Sequence, residues 1–260
     1  MKLTCQQEAY SALMNLAKSN SHSVLITGSR GCGKTWLSRE YGKLLNVDDF
    51  VLVSPTVAAI REVGDACSVL TTPIVLCIEN LDTGVNAASQ VLLKFLEEPR
   101  NNVYIVVTVR NIDSVPATIR SRSKLVTVAV PRDTDKHIYA AEKLSKVDYQ
   151  KIAASPIFKA CSGFSDIDEM AALSVDQLGY LTDLVKCTRS ADSISNLTWK
   201  LNHYPDNSPI DLNLALRCIH ATTSSAVVRQ LCAERIADLE LGRIAPHAIA
   251  ARFLFDCKYV

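Results

Sequence analysis

The chain has 260 residues and a mass of 28.5 kDa, with 48% hydrophobic and 21% charged residues. That balance supports a buried core and excludes a disordered polymer. At roughly 100–200 residues per domain it allows one large domain or two to three small ones. Lys plus Arg number 28 and Asp plus Glu 27, for a net charge of +1. No bulk positive charge is available to drive nucleic-acid binding, so any DNA contact must be local and geometric. The opening MKLTCQQEAY has no apolar h-region and predicts no signal peptide. Uncharged apolar stretches such as Cys67–Ile78 fall short of the about 20 residues that a bilayer requires, so no membrane partner is expected. No two of the 9 cysteines lie within four residues of each other. That spacing excludes a CxxC zinc module and fits free thiols buried in a reducing cytosol, which makes a cytoplasmic location the expectation.

In chain order, strands are predicted over Val24–Thr27, Val51–Val53, Ile74–Ile78, Val103–Val107 and Lys124–Val128. The runs IVLCI at 74–78 and VYIVV at 103–107 are apolar throughout, as strands buried on both faces of a parallel sheet are. Helical patterns fall at Thr35–Leu45, Thr56–Asp65 and Ala87–Glu97, the last ended by Pro99. This alternation predicts a three-layer α/β domain around a parallel five-stranded sheet. Beyond Pro131 the strand-like runs vanish. Asp133–Leu144, Tyr149–Ala160 and Asp166–Leu173 read as short helices. Longer amphipathic helices follow from Ser174 to Cys257, broken near Thr188, at Tyr204–Pro209, at Thr222–Ser225 and at Gly242–Pro246. The expected divisions are 1–130 for the α/β domain, then 131–173 and 174–260 as two all-helical domains.

The strongest local signal is Gly28-Ser29-Arg30-Gly31-Cys32-Gly33-Lys34-Thr35, a GxxxxGK[ST] sequence between a strand and a helix. Glycines at such a turn let consecutive backbone N–H groups face a phosphate, and the helix start adds its positive dipole end. Lys34 is expected to reach the β- and γ-phosphates, and the Thr35 hydroxyl to ligate Mg²⁺. The predicted cofactor-binding set is Gly28 to Thr35 together with Trp36 at the helix start, and the predicted cofactors are ATP and Mg²⁺.

The second signal is Ile74-Val75-Leu76-Cys77-Ile78-Glu79-Asn80-Leu81-Asp82. An apolar strand that ends in a carboxylate has the form of a Walker B segment, whose carboxylate holds Mg²⁺ while a neighbouring Glu polarises the attacking water. Glu79 takes the metal position. Asn80 follows it, and an amide cannot take a proton.

The run from Ile74 to Leu125 resembles the AAA+ core of DNA-polymerase clamp-loader subunits. It is similar to the tau/gamma and delta-prime subunits of bacterial DNA polymerase III and to the compact phage and eukaryotic small subunits. The matching pieces are Leu92-Leu93-Lys94 with Leu96-Glu97-Glu98-Pro99, the strand at Val103–Val107, and Pro116-Ala117-Thr118-Ile119-Arg120-Ser121-Arg122-Ser123. The opening Gln6-Gln7-Glu8, before a helix and the phosphate-loop strand, also fits. The resemblance covers about 1–173, and beyond that it agrees only in being helical. It implies an AAA+ domain, a helical lid at 131–173 and a collar at 174–260. It further implies a pentameric hetero-oligomer of related subunits that acts on a sliding clamp and primer–template DNA in replication. The last motif corresponds to the family's SRC segment. Arg122 is accordingly implied to be an arginine finger, reaching the nucleotide of a neighbouring subunit.

Several family features are missing. Asn80 stands at the Walker B glutamate. The polar sensor after the fourth strand falls on Arg110, with Thr108 two residues earlier. The lid arginine falls on Ser165, and the Cys of SRC is Ser123. No zinc module lies between the two nucleotide motifs. Phosphate binding reads as intact and water activation as degraded, a loss of typically about 10²–10⁴ in rate when a general base is missing. Arg110 is a candidate cation near the γ-phosphate that offsets part of that loss. The catalytic set is therefore Glu79, Asn80, Arg110 and Arg122, with Thr35 and Glu79 as metal ligands. Three functions follow: an ATP-driven loader subunit, a hydrolysis-silent stator resembling delta-prime, or an AAA+ adaptor for helicase loading or transposition. The five histidines share no ligand spacing and predict no metal site. Arg39, Lys43 and Arg61 read as solvated helix faces. Asn86–Ser89 starts a helix that the resemblance places toward DNA.

Overall fold

The computed structural model describes residues 4–84, 86–153, 158, 161–187, 212–223, 226–241, 252–253 and 256. The chain divides into two compact units, residues 1–135 and 136–260.

In the first unit, five strands form one sheet: β1 (Ser23–Thr27), β2 (Asp49–Val53), β3 (Ile74–Ile78), β4 (Val103–Val109) and β5 (Lys124–Thr127). Their order is β2-β3-β4-β1-β5, and every pairing is parallel. Parallel pairing requires a crossover between successive strands, and the helices α1 (Gln7–Lys18), α2 (Lys34–Leu44), α3 (Val57–Cys67), α4 (Asn86–Glu97) and α5 (Ala117–Arg122) flank the strands in chain order. All residues of β3 and β4 are buried. Their side chains alternate between two cores, as the period of two in a strand demands. Val75, Tyr104 and Val106 join Leu13, Leu37 and Tyr41 on the face of α1 and α2. Leu76, Ile105 and Val107 join Ile60, Leu92 and Leu96 on the face of α3 and α4. The edge strands β2 and β5 are mostly exposed, and β2 begins at Asp49, two residues before the predicted Val51.

Close packing between α3 and α4 depends on Gly64. A Cβ on Gly64 would stand 1.9 Å from Cζ of Phe95. Alanine in place of a helical glycine gains up to about 1 kcal/mol in propensity, whereas overpacking costs about 1–3 kcal/mol. Gly64→Ala is therefore expected to lower stability by up to about 2 kcal/mol, with recovery when Phe95→Leu is added. Urea unfolding midpoints check this; a more stable Gly64→Ala chain would contradict the packing.

Asp135 is fully buried and ties the start of the unit to its end. Its Oδ1 accepts the backbone N–H of Thr4 at 2.8 Å and of Cys5 at 3.4 Å. Its Oδ2 accepts that of Arg132 at 3.1 Å, the carboxylate half of a capping box at the start of α6 (Asp133–Lys143).

In the second unit the described elements beyond α6 are all helical: α7 (Lys146–Ala153), α8 (Phe164–Ala171), α9 (Val175–Cys187), α10 (Leu212–Thr222) and α11 (Ala226–Leu241). Their shared core includes Ile152, Ile167, Met170, Leu181, Leu216 and Phe253. Asp166 is buried, accepts N–H groups of Ser162 and Gly163, and pairs with Arg217 of α10, which also reaches Glu169 at 3.2 Å. The helix expected at Tyr149–Ala160 begins earlier, at Lys146, and is described to Ala153; 154–157 and 159–160 lie outside the described residues. The expected break at Thr222–Ser225 falls where α10 ends and α11 begins. The breaks near Thr188, at Tyr204–Pro209 and at Gly242–Pro246 lie outside the described residues, apart from the ends they would bound.

Candidate functional site

Three chain segments converge at the carboxyl ends of β1, β3 and β4, where ligands bind in open α/β sheets. The turn after β1 carries the glycine-rich loop. Gly31 and Gly33 have φ of 72° and 91°, a region that costs side-chain-bearing residues strain and glycine almost none. Gly28 also has no room for a side chain, because a Cβ there would meet Cys32 Sγ at 2.8 Å. The loop is anchored on both flanks. Gly28 N–H donates to the Val109 carbonyl at 3.2 Å, and Gln6 Nε2 donates to the Cys32 carbonyl at 2.8 Å.

Lys34 opens α2 with only 7% of its surface exposed. Its Nζ donates to the carbonyls of Gly28 and Ser29, each at 2.8 Å. Burial lowers its proton affinity; Arg110 also lowers it, while Asp82 and Glu79 raise it. Thr35 Oγ1 donates to Glu79 Oε1 at 2.6 Å. That contact brings together the hydroxyl of the loop and the carboxylate at the end of β3. Two hard oxygen donors are the set that suits Mg²⁺, so the residues present fit a magnesium–nucleotide. Trp36 packs its side chain against the core beneath α2, so any nucleotide contact it makes falls to its backbone. Arg30 stands half-buried in the loop.

Asn80 adopts a left-handed conformation, φ 47° and ψ 53°. Asparagine tolerates this region better than other side chains, which gives a local physical reason for an amide at this position. Its N–H donates to Thr108 Oγ1 at 3.0 Å. Thr108 is 1% exposed, so its hydroxyl braces the turn after β3. Arg110 follows the last residue of β4, and its N–H donates to Asp82 Oδ2 at 3.1 Å. Sequence reasoning assigns no role to Asp82, whose only signal is a carboxylate two residues past Asn80, and places Gln6 only as part of the opening Gln6-Gln7-Glu8.

Arg122 stands apart, at the C-terminal end of α5. Its side chain is 39% exposed, with Nη2 3.0 Å from Glu97 Oε1 and Nη1 donating to the Thr118 carbonyl at 3.1 Å. Ser165 belongs to the second unit, in the first turn of α8. Among the other cations considered, Arg39 stacks over Phe50 at 4.3 Å and Lys43 pairs with Glu40 at 2.7 Å. Among the described residues no group of three or more His, Cys, Asp or Glu could hold a metal, and no helix is long and apolar enough to cross a membrane. Cys5, Cys32, Cys67, Cys77, Cys161, Cys218 and Cys232 are buried, and burial pushes the Cys5, Cys77, Cys161 and Cys218 thiols up to about 12.

Residues 54–131 match the family described as DNA polymerase III, delta subunit. The sliding-clamp-loader large subunit of Escherichia phage RB69 is 30% identical over 141 residues. Over these stretches the chain is similar to that family and to the phage protein. The phage match covers 50% of this chain and 42% of the phage protein; thus the chain aligns with less than half of that clamp-loader subunit. In fold, a DNA polymerase III gamma subunit-related protein from Thermotoga maritima superposes with a TM-score of 0.58 at 15% identity. It covers 96% of this chain and 99% of its own. A RuvB point mutant from Thermotoga maritima gives 0.52 at 14% identity, covering 96% and 83%. The family match at 54–131 contains Glu79, Asn80, Arg110 and Arg122, and the glycine-rich loop lies before it.

Proposed function

We propose that this clamp-loader relative binds ATP with Mg²⁺ and serves as one subunit of a loader that places a sliding clamp on primer–template DNA during replication. The observation that carries the nucleotide part is the 2.6 Å contact between Thr35 and Glu79, made beside a lysine already inside the loop. The relatives supply the clamp-loader part. In this reading Gly28 to Thr35 hold the phosphates, with Trp36 contributing backbone, and Thr35 and Glu79 hold the metal. The metal would neutralise phosphate charge. Arg110 would add a cation from the same subunit, and Arg122 would act on a neighbour's nucleotide. Residues 131–173 would serve as lid and 174–260 as collar, joining this subunit to related ones in a hetero-oligomer. A cytoplasmic location belongs to the same reading.

Asn80 favours a second reading, a stator-like subunit that donates Arg122 and turns over little ATP itself. Asn80→Glu separates the two. A carboxylate there supplies the missing base, a term of about 10²–10⁴ in rate. The left-handed backbone at this position charges Glu roughly 1 kcal/mol against that gain. For an active subunit, turnover by the assembled loader is expected to rise about tenfold or more, with ATP affinity near the wild-type value. No change in turnover would select the stator. A wild-type chain that hydrolyses ATP quickly and loses little on Asn80→Ala would exclude both.

A further inference from the structure

We infer that Asp82 is the positioning residue for Arg110, and that through it the chain sets its preference for a nucleoside triphosphate over the diphosphate. The inference rests on the nucleotide reading above and adds a residue to it.

Asp82 lies in the single turn Leu81–Thr83 that follows β3. Its Oδ2 accepts two backbone N–H groups, from Arg110 at 3.1 Å and from Asn111 at 3.3 Å. One carboxylate oxygen thus fixes the backbone where β4 ends. Such charge-assisted bonds are stronger than neutral ones. The tie is local and doubled, because Asn80 N–H donates to Thr108 Oγ1 at 3.0 Å between the same two segments. The Thr83 hydroxyl closes the turn itself by donating to the Asn80 carbonyl at 2.8 Å. The other Asp82 oxygen, Oδ1, is buried with no hydrogen-bond partner. Both side chains act within the electrostatic reach of the loop lysine: Arg110 lowers the proton affinity of Lys34 and Asp82 raises it.

The chemistry follows from this arrangement. A diphosphate is held by the loop, Lys34 and Thr35. The added terminal phosphate of a triphosphate brings further negative charge toward the strand ends, where a fixed cation is worth more than a mobile one. Arg110 is that cation. Its backbone is fixed by Asp82, so the carboxylate acts on the ligand through another residue and without touching it.

The test is displacement titration of a fluorescent adenine nucleotide from the full chain by ATP and by ADP, with Mg²⁺ present. Asp82→Ala is expected to lower the ratio of ATP to ADP affinity about tenfold, the size of one lost bond to a charged group, while ADP affinity stays unchanged. Arg110→Ala should lower the ratio equally, and the double variant no further, since the two act as one unit. Asp82→Asn keeps an acceptor oxygen and should hold the ratio near wild type. If Asp82→Ala does not fold, Asp82→Glu keeps the charge but displaces it by a methylene, and the same fall is expected. An unchanged ratio in Asp82→Ala (or in Asp82→Glu, where Asp82→Ala does not fold), or additive losses in the double variant, would overturn the inference while leaving nucleotide binding in place. A wild-type chain that binds neither nucleotide would instead remove the underlying reading, and this inference with it.

Discussion

Lys34→Ala is expected to abolish ATP binding by the chain and leave it folded. The ammonium group is held inside the loop by the Gly28 and Ser29 carbonyls, so a phosphate entering the loop meets a cation already in place. Charge-assisted bonds of this kind contribute about 1.5–3 kcal/mol each, which sets the expected loss at roughly 10²-fold or more. The fold does not depend on the side chain, because the core on this face is built from Leu13, Leu37, Tyr41 and the strand residues opposite them. Titration with a fluorescent ATP analogue, paired with a thermal melt, reads both quantities. Wild-type affinity in Lys34→Ala would exclude the loop as the nucleotide site.

Arg122→Ala is expected to leave ATP binding by the isolated chain intact and to lower ATP hydrolysis by the assembled loader by about 10²-fold or more, since arginine fingers supply 10³–10⁵. In the chain itself the guanidinium rests on Glu97 and the Thr118 carbonyl. A surface pair of this kind contributes about 0–1 kcal/mol, so the side chain can leave it for a phosphate at little cost. Comparing ATP hydrolysis by the isolated chain and by the complex checks the assignment. Equal losses in both would show that Arg122 acts within its own subunit.

The central strands were legible because burial on both faces leaves no polar residue in IVLCI or in the first five residues of β4. The sequence reading ended β4 at Val107, whereas the strand runs to Val109. Thr108 looks like a strand end until its hydroxyl is seen to hold the Asn80 backbone. The edge strand β2 was read short because it opens on an exposed, polar Asp49, which hides the strand start ahead of Phe50. The loop residues from Gly28 to Thr35 were legible as a motif because their spacing is itself the mechanism. Gln6 and Asp82 were not, because each acts on backbone 26 or 28 residues away, and such a partner exists only once the sheet has formed. Asn80 was read as a lost catalytic group; its left-handed backbone adds a conformational reason for the same residue.

The buried carboxylate of Asp135 bears on where the α/β unit can be cut. Because it receives the N–H groups of Thr4 and Cys5, the first turn of the protein is fastened by a residue from the far end of the unit. A fragment ending at Val130 would lack that acceptor and strand the N–H groups of Thr4 and Cys5, an expense of about 1–3 kcal/mol for each one that stays buried. The segment carrying Gln6, which braces the phosphate loop through Cys32, would be loosened with them. The smallest self-sufficient piece of this unit therefore reaches into α6, and its two termini belong to one mechanical element.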